Sequence, residues 1–263
     1  MMVFQIFPVT LMFFAMTFAL IFSNLSLGEY VQYSFANTLG NVTKLIERAV
    51  VLNSMGRFDD ALPILDKALL TDPNNMLALI NKGISLDGLG RFNEEMVYYD
   101  KALSIDPANK NAVNNKAAVL ISLGNLDEAI KYYDKALTID PNDTRILVNK
   151  GIAFDSLQKF DEAIKYYDKA LSIDPNSIQA LINKGRTLSQ LHHFEEAILS
   201  YDKALKIEPQ NVDALLNKGL SLYSLGKNSD AIAHFDKVLA IEPGNPLALS
   251  LKNNAEQNPN GVR

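Results

Sequence analysis

An acidic residue followed by proline recurs at a fixed interval of 34 residues along this chain of 263 residues. The six dipeptides are Asp72-Pro73, Asp106-Pro107, Asp140-Pro141, Asp174-Pro175, Glu208-Pro209 and Glu242-Pro243. A strict period of this length is typical of a stacked repeat protein and not of a globular domain with one closed core. Proline cannot continue a helix, and it biases the preceding residue away from helical dihedral angles. Each dipeptide therefore predicts the end of a helix at the same place in every repeat.

Between successive prolines, apolar residues fall at helical spacing in two runs. In the fourth copy the first run extends from Ile146 to Leu157 and the second from Ala163 to Ile173. A short break separates the runs, and the six copies carry at one site of it Gly56, Gly90, Gly124, Gln158, His192 and Gly226. Glycine suits the left-handed turn that closes a helix. Each repeat is therefore predicted to be a hairpin of two helices.

Small residues recur where the two helices of a hairpin would approach closely. Ten residues after each of the first five prolines stand Gly83, Ala117, Gly151, Gly185 and Gly219. Near the start of the second helix stand Ala61, Ala129, Ala163, Ala197 and Ala231. A larger side chain at such a contact would separate the helices or force strained rotamers. Glu95 replaces this alanine in the second copy, which we interpret as a drifted repeat with a locally opened hairpin.

This pattern closely resembles the tetratricopeptide repeat family. The matching residues of the fourth copy are Leu147, Gly151, Phe154, Ala163, Tyr167, Ala170 and Pro175. The resemblance implies an all-α fold, a right-handed superhelical α-solenoid in which the first helix of every hairpin lines a concave groove. Members of the family bind protein or peptide partners in that groove.

The copies in register set the domain boundaries. They cover residues 42–75, 76–109, 110–143, 144–177, 178–211 and 212–245. After Pro243, Asn245-Pro246 is typical of a helix cap followed by the first helical residue. Residues 246–257 are therefore predicted to form a capping helix over the last hairpin, and residues 258–263 a disordered tail.

The N-terminal segment differs in kind, because residues 1–22 carry no charged side chain and no Lys or Arg precedes Lys44. As a helix it would extend about 33 Å, enough to cross a hydrocarbon layer of about 30 Å. Two interpretations remain open: an uncleaved membrane anchor over residues 1–23, and a secretion signal cleaved after the small residues Ser26 and Gly28. The missing positive n-region and the long apolar run favour the anchor. Residues 24–41 would then be a polar linker to repeats outside the membrane, or the repeats are secreted if residues 1–28 are removed.

Composition argues against several classes of function. The chain has a formal net charge of −5 and no cysteine, so disulfides, thiol chemistry and cysteine-based zinc sites are impossible. Interspersed Lys and Asp give no basic stripe for nucleic acid. His192 and His193 lie in a hairpin break and His234 stands apart from them, which is a poor basis for a metal site. No phosphate-cradling loop occurs, so we expect no enzyme activity, cofactor or small-molecule substrate.

The candidate binding residues form a column eight residues after each of the first five prolines. They are Asn81, Asn115, Asn149, Asn183 and Asn217. Asparagine costs roughly 0.5 kcal/mol in a helix interior relative to alanine, so its recurrence suggests a compensating role. By helical phase these residues lie on the open side of the first helices. The column is similar to the asparagine ladder in the repeats of O-linked N-acetylglucosamine transferase, which holds peptide backbones. Inheritance by repeat duplication, without function, is the alternative.

Charged columns refine the expected ligand. Arg145 and Arg186 are predicted to be the cations of the groove. The lysines with which chaperone-binding members hold a C-terminal carboxylate are absent, which disfavours that ligand. A second column follows the asparagines: Lys82, Lys116, Lys150, Lys184 and Lys218. We interpret these lysines as stems that cover apolar neighbours while the ammonium groups reach water, with a basic rail as the alternative.

The sequence therefore predicts a non-enzymatic scaffold that binds an extended peptide or partner segment in the groove, at a membrane surface through residues 1–22. The alternative is a structural assembly factor that contacts folded partners of a membrane or cell-surface complex through its convex face.

Overall fold

A computed structural model describes residues 27–257. Thirteen α-helices and no β-strand occupy this described part of the chain. They are α1 (Leu27–Ser54), α2 (Phe58–Thr71), α3 (Met76–Gly88), α4 (Phe92–Ile105), α5 (Lys110–Ser122), α6 (Leu126–Ile139), α7 (Thr144–Ser156), α8 (Phe160–Ile173), α9 (Ile178–Gln190), α10 (Phe194–Ile207), α11 (Val212–Ser224), α12 (Asn228–Ile241) and α13 (Pro246–Gln257). The all-α helix-hairpin fold predicted from the repeat period is confirmed.

The chain divides into two compact units, residues 1–105 and 106–263. In the first unit, α1 pairs with α2 and α3 with α4, and α3 also packs against α1 and α2. In the second unit, α5 to α12 form four hairpins, and each helix packs against the next. The first helices of neighbouring hairpins, α5, α7, α9 and α11, also contact one another in that order. Within the second unit, the first helices therefore stack side by side.

Local chemistry sets the helix ends where the sequence predicts them. At the start of α7 the Asp143 carboxylate accepts a hydrogen bond from the Ile146 amide at 3.2 Å, which satisfies one of the free N–H groups of a helix start. Asn75, Asn109, Ser177, Asn211 and Asn245 do the same for α3, α5, α9, α11 and α13. Within each hairpin the turn is left-handed, including at Gln158 (φ 59°) and His192 (φ 62°), where four other copies have glycine.

In four of the hairpins the core contains an aromatic ring on the second helix packed against a glycine on the first. Tyr201 is fully buried, and a Cβ added to Gly185 would lie 2.5 Å from its Cε1. Gly83, Gly151 and Gly219 face Tyr99, Tyr167 and Phe235 in the same way. The recurring glycines are therefore required by a close approach of ring and backbone and not by backbone flexibility.

The lysine column forms ion pairs between successive hairpins. Lys184 lies 2.5 Å from Asp168, which belongs to the second helix of the preceding hairpin. Lys82, Lys150, Lys218 and Lys252 make the corresponding pairs with Asp66, Asp134, Asp202 and Asp236. The Lys150 side chain is 4% exposed, and its ammonium also donates to the Tyr166 hydroxyl at 2.7 Å. The interpretation that these ammonium groups reach water is therefore wrong for Lys150, and its ion pair stabilises the stacking.

The structure buries Glu95 instead of opening the second hairpin around it. Its side chain is 2% exposed, and Oε2 has no hydrogen-bond partner. Burial, with the nearby charge of Asp87, raises the pKa of Glu95 to about 8, although a hydrogen bond with Tyr99 acts in the opposite direction. Glu95 is therefore a source of pH-dependent instability in the first unit.

The ends of the chain differ in part from the predicted boundaries. α1 begins at Leu27, so most of the predicted polar linker over residues 24–41 is helical. The physical reason is that the first copy carries Leu39 where later copies have the helix-ending proline. α13 packs on α12 where the capping helix is predicted. The predicted anchor or signal over residues 1–23 and the tail over 258–263 lie outside the described residues. Between residues 27 and 257, no helix combines the length and the apolar character that a membrane span requires.

Candidate peptide-binding face

Four of the five predicted asparagines lie on one side of the second unit. Asn115, Asn149, Asn183 and Asn217 are half-buried on α5, α7, α9 and α11. The residues four positions before them, Asn111, Arg145, Gln179 and Asp213, are exposed. The residues three positions after them, Ala118, Ile152, Arg186 and Leu220, are exposed or half-buried. We call this surface of α5, α7, α9 and α11 the first-helix face.

The fifth asparagine, Asn81, lies in the first unit and is 6% exposed. Its side-chain Nδ2 donates to the Leu77 backbone carbonyl at 2.8 Å. The backbone carbonyl of Asn81 accepts hydrogen bonds from Asn53 Nδ2 at 3.1 Å and from the Ser85 hydroxyl at 3.0 Å. Asn81 therefore takes part in a buried polar network between α1 and α3, and it is less exposed than its four counterparts.

A buried asparagine orients two members of the column. Asn114 is 4% exposed, and its Oδ1 accepts a hydrogen bond from Asn149 Nδ2 at 3.0 Å. Asn114 Nδ2 in turn donates to Asn115 Oδ1 at 3.2 Å. This chain of amides leaves Asn115 with an N–H donor and Asn149 with a carbonyl acceptor for a ligand. The sequence analysis did not single out Asn114, although the residues at the equivalent position of the neighbouring repeats are apolar.

The two predicted arginines are held differently. Arg145 Nη2 donates to Asn111 Oδ1 at 2.9 Å, which links α7 to α5. Arg186 Nη1 makes a 3.4 Å hydrogen bond to Asn183 Oδ1 on its own helix. Among the residues from 27 to 257, no carboxylate forms an ion pair with either guanidinium. Arg186 therefore retains several N–H donors that face solvent.

Polar contacts fix the spacing of the first helices beneath the face. Thr187 Oγ1 on α9 donates to Asp155 Oδ1 on α7 at 2.6 Å. Ser189 Oγ on α9 and Ser221 Oγ on α11 are 3.0 Å apart. These contacts hold three helices in a preformed arrangement, and a preformed surface loses less conformational entropy when it binds a ligand.

A cavity of about 370 Å³ opens between α9 and α11. Its lining residues are Arg186, Ser189, Gln190, His192, Phe194, Asn217, Leu220, Ser221 and Ser224. It combines a guanidinium and an imidazole with hydroxyl and amide groups and with two apolar side chains. In the described part of the chain, no cluster of His, Cys, Asp and Glu could hold a metal ion. The groups that line this cavity can act through hydrogen bonding and charge.

Comparison with known proteins identifies the family. Two models of the tetratricopeptide repeat match the chain, one over residues 111–176 and 145–210 and the other over residues 47–110 and 182–246. Together the matches cover residues 47–246, which is more than half of the chain. The chain belongs to the tetratricopeptide repeat family. No curated protein sequence matches it significantly.

Solved structures share the fold at low sequence identity. PilW, described as a widely conserved type IV pilus biogenesis factor, is 23% identical with a TM-score of 0.73, over 80% of this chain and 97% of PilW. PilF of Pseudomonas aeruginosa is 20% identical with a TM-score of 0.68, over 83% of this chain and 99% of its own. YrrB, a protein with an unusual peptide-binding site, is 23% identical with a TM-score of 0.53, over 72% of this chain and 97% of YrrB. At this identity the likeness shows the fold alone.

Proposed function

We propose that this protein is a non-enzymatic scaffold that binds an extended segment of a partner protein along the first-helix face of the second unit. The observation that carries the proposal is the column of four half-buried carboxamides, two of them oriented by the buried Asn114. Packed helices lie about 8–10 Å apart and an extended peptide advances about 3.3 Å per residue. One carboxamide can therefore meet the peptide backbone at about every third residue, through a donor at Asn115 and an acceptor at Asn149.

The related structures support an interaction role. The name of YrrB describes a peptide-binding site on the same fold, and PilW is named for the biogenesis of an assembly, the type IV pilus. We infer that the face of the present chain also recruits a protein segment. The uncharged residues 1–22 favour a site of action at a membrane surface, with the repeats extracytoplasmic, or secreted if residues 1–28 are removed.

A second candidate function is an assembly factor that binds folded partners through its second helices. Large apolar side chains exposed on these helices favour it: Leu70 on α2 is 83% exposed, Val97 on α4 is 61% and Leu199 on α10 is 62%. They stand singly on separate helices, and scattered apolar residues are normal on protein surfaces. The first-helix face is therefore the better-supported site.

A triple substitution tests the proposal. The partner is first captured from native membranes with the full-length protein in mild detergent and identified by mass spectrometry. Replacing Asn115, Asn149 and Asn183 together by Ala should weaken its binding at least about tenfold, because each lost backbone hydrogen bond contributes about 1 kcal/mol. Helical circular dichroism should be unchanged, because these side chains are not packed in the core.

The matched control removes three amides from turns away from the face: Asn74→Ala, Asn142→Ala and Asn176→Ala together. These residues are exposed, and we expect the affinity of this variant for the partner to equal that of the wild type. Undiminished binding by the Asn115, Asn149 and Asn183 variant would reject the proposal.

A further inference from the structure

We propose that the cavity between α9 and α11 selects one acidic side chain, Asp or Glu, of the bound segment through Arg186. This inference rests on the proposed function, because it assumes that a peptide lies along the first-helix face. It adds the chemical identity of one residue of that peptide and the residue of this chain that recognises it.

The charge of the cavity is the first argument. Arg186 is exposed, has no ion-pair partner among the described residues and lines a cavity that contains no carboxylate. Its neighbour Lys184, two residues earlier on α9, is neutralised by Asp168 at 2.5 Å. The chain as a whole has a formal net charge of −5, so a positive cavity opposes the overall balance. An anionic group is the complementary ligand.

Hydrogen bonds within the cavity occupy two of its hydroxyl groups and one of its amides, and they leave most donors of the Arg186 guanidinium available. Ser221 Oγ donates to the Asn217 carbonyl at 2.9 Å, and Ser224 Oγ donates to the Leu220 carbonyl at 3.0 Å. Asn217 Nδ2 donates to the Asp213 carbonyl at 2.7 Å. The guanidinium presents several N–H groups in one plane, a geometry that matches both oxygens of a carboxylate.

His192 lies in the hairpin turn beside the cavity. It adopts a left-handed φ of 62°, as Gln158 does at the equivalent site of the preceding repeat. The imidazole lines the cavity and contacts the ring of Phe194 edge-on, at 5.6 Å between ring centroids. His192 can therefore supply a second N–H donor to the anion.

The size and position of the cavity favour a side chain within the segment over a chain terminus. A volume of about 370 Å³ is at the lower end of the range of about 300–1,000 Å³ for ligand pockets. Leu220 and Phe194 provide apolar wall against which the methylene groups of an acidic side chain can pack. Asn149 and Asn183 continue the column on the side of α7 and α9, so the peptide backbone has binding groups beyond the cavity.

Selection from random peptides tests the inference. The full-length protein in mild detergent is immobilised and used to select from a phage-displayed dodecapeptide library, in parallel with Arg186→Gln, Arg186→Glu and the control Lys165→Glu. We expect wild-type selections to share an Asp or Glu at one position and Arg186→Gln selections to lose this preference. The Arg186→Glu selections should carry Lys or Arg there instead. Lys165 is exposed on α8, away from the cavity, so its variant should select the same peptides as the wild type.

A selected peptide then gives the strength of the contact by fluorescence anisotropy. Changing its acidic residue to the amide should weaken binding to the wild type about tenfold or more, because a charge-assisted hydrogen bond contributes about 1.5–3 kcal/mol. The same change should have little effect on binding to Arg186→Gln. Circular dichroism and thermal midpoints verify that each variant is folded.

The possible outcomes separate the two proposals. If the wild type enriches no peptide that competes in solution, the proposed peptide-binding function fails. If it enriches peptides without an acidic residue, or if Arg186→Glu keeps the acidic preference, the inference about Arg186 is overturned while peptide binding stands.

Discussion

Glu95 shows how one residue can oppose the fold that surrounds it. The corresponding site in five other repeats holds a fully buried alanine. Glu95 is buried to the same degree and leaves Oε2 without a hydrogen bond, so its ionised form is destabilised in the folded protein. Its pKa of about 8 compares with an ordinary value of 4.5. Because the folded state binds the proton more tightly than the unfolded state, the stability of the first unit should fall as the pH rises between these two values.

We predict that Glu95→Gln removes this pH dependence, because the amide keeps the shape of the carboxyl group and cannot ionise. Wild type and variant should have similar thermal midpoints below pH 4.5, and the variant should be increasingly the more stable up to about pH 8. Each pKa unit of difference corresponds to about 1.4 kcal/mol. Thermal unfolding followed by circular dichroism at several pH values measures the effect.

The adjacent Glu94 provides the control for this prediction. It is an exposed carboxylate that forms an ion pair with Arg91 at 2.7 Å, which holds the pKa of Glu94 below its ordinary value. Glu94→Gln should therefore not increase stability between pH 4.5 and 8. If the thermal midpoints of wild type and Glu95→Gln changed equally with pH across this range, that result would contradict the account of Glu95.

Helical phase predicts which side of a helix a candidate residue occupies but not its hydrogen-bond partners. It predicted that the asparagine column faces outward, and Asn115, Asn149, Asn183 and Asn217 do lie on a partly exposed face. It could not predict that Asn81 donates to Leu77 within a buried network, because that network depends on Asn53 in the preceding repeat. Side-chain hydrogen bonds between repeats depend on distances that a linear pattern does not contain.

At the level of the element, the hairpin turn contains residues that are strained by the conformation the repeat imposes. Gln158 closes the hairpin of α7 and α8 with a left-handed φ of 59°, whereas Gly56, Gly90, Gly124 and Gly226 occupy the site in four other copies. Side chains with a Cβ are strained in this conformation, and glycine is not. The sequence predicted the turn and the unfavourable residues in it, because the turn position is fixed by the repeat period.

We predict that Gln158→Gly stabilises the protein by about 1 kcal/mol through relief of this strain. Thermal or denaturant unfolding followed by circular dichroism measures the change. The neighbouring Lys159 has an ordinary φ of −88°, so Lys159→Gly should not stabilise. A loss of stability in Gln158→Gly, or an equal gain in Gln158→Ala, would be inconsistent with strain at this position.

Contacts between elements were less predictable than the elements. The alanines and glycines at the helix contacts were recognisable because only small residues recur there. The ion pair of Lys184 with Asp168 was not recognised, although the two residues keep a fixed separation in every repeat that forms the pair. The ammonium group of such a lysine can contact water or form an ion pair, and the choice depends on the packing of the preceding hairpin.

For the whole molecule, one period of 34 residues specifies most of the architecture. Within each unit a hairpin buries its apolar face against its neighbours, so the same local pattern produces the same local structure in successive copies. The departures occur where the pattern stops. α1 extends back to Leu27 because Leu39 occupies the site at which later copies have the helix-ending proline, and residues 1–26 fall outside the described structure. The repeat pattern contains no information about whether the N-terminal segment interacts with a membrane.

Site-specific photo-crosslinking to the captured partner tests the central claim most directly. A benzophenone amino acid is placed in the full-length protein either at Ala118, exposed on the first-helix face of α5, or at Lys165, exposed on the second helix α8. If the protein binds an extended segment along the first-helix face, irradiation should crosslink the partner efficiently from position 118 and not from position 165. Crosslinking from position 165 with none from position 118 would contradict this account and favour an assembly factor that binds through its second helices.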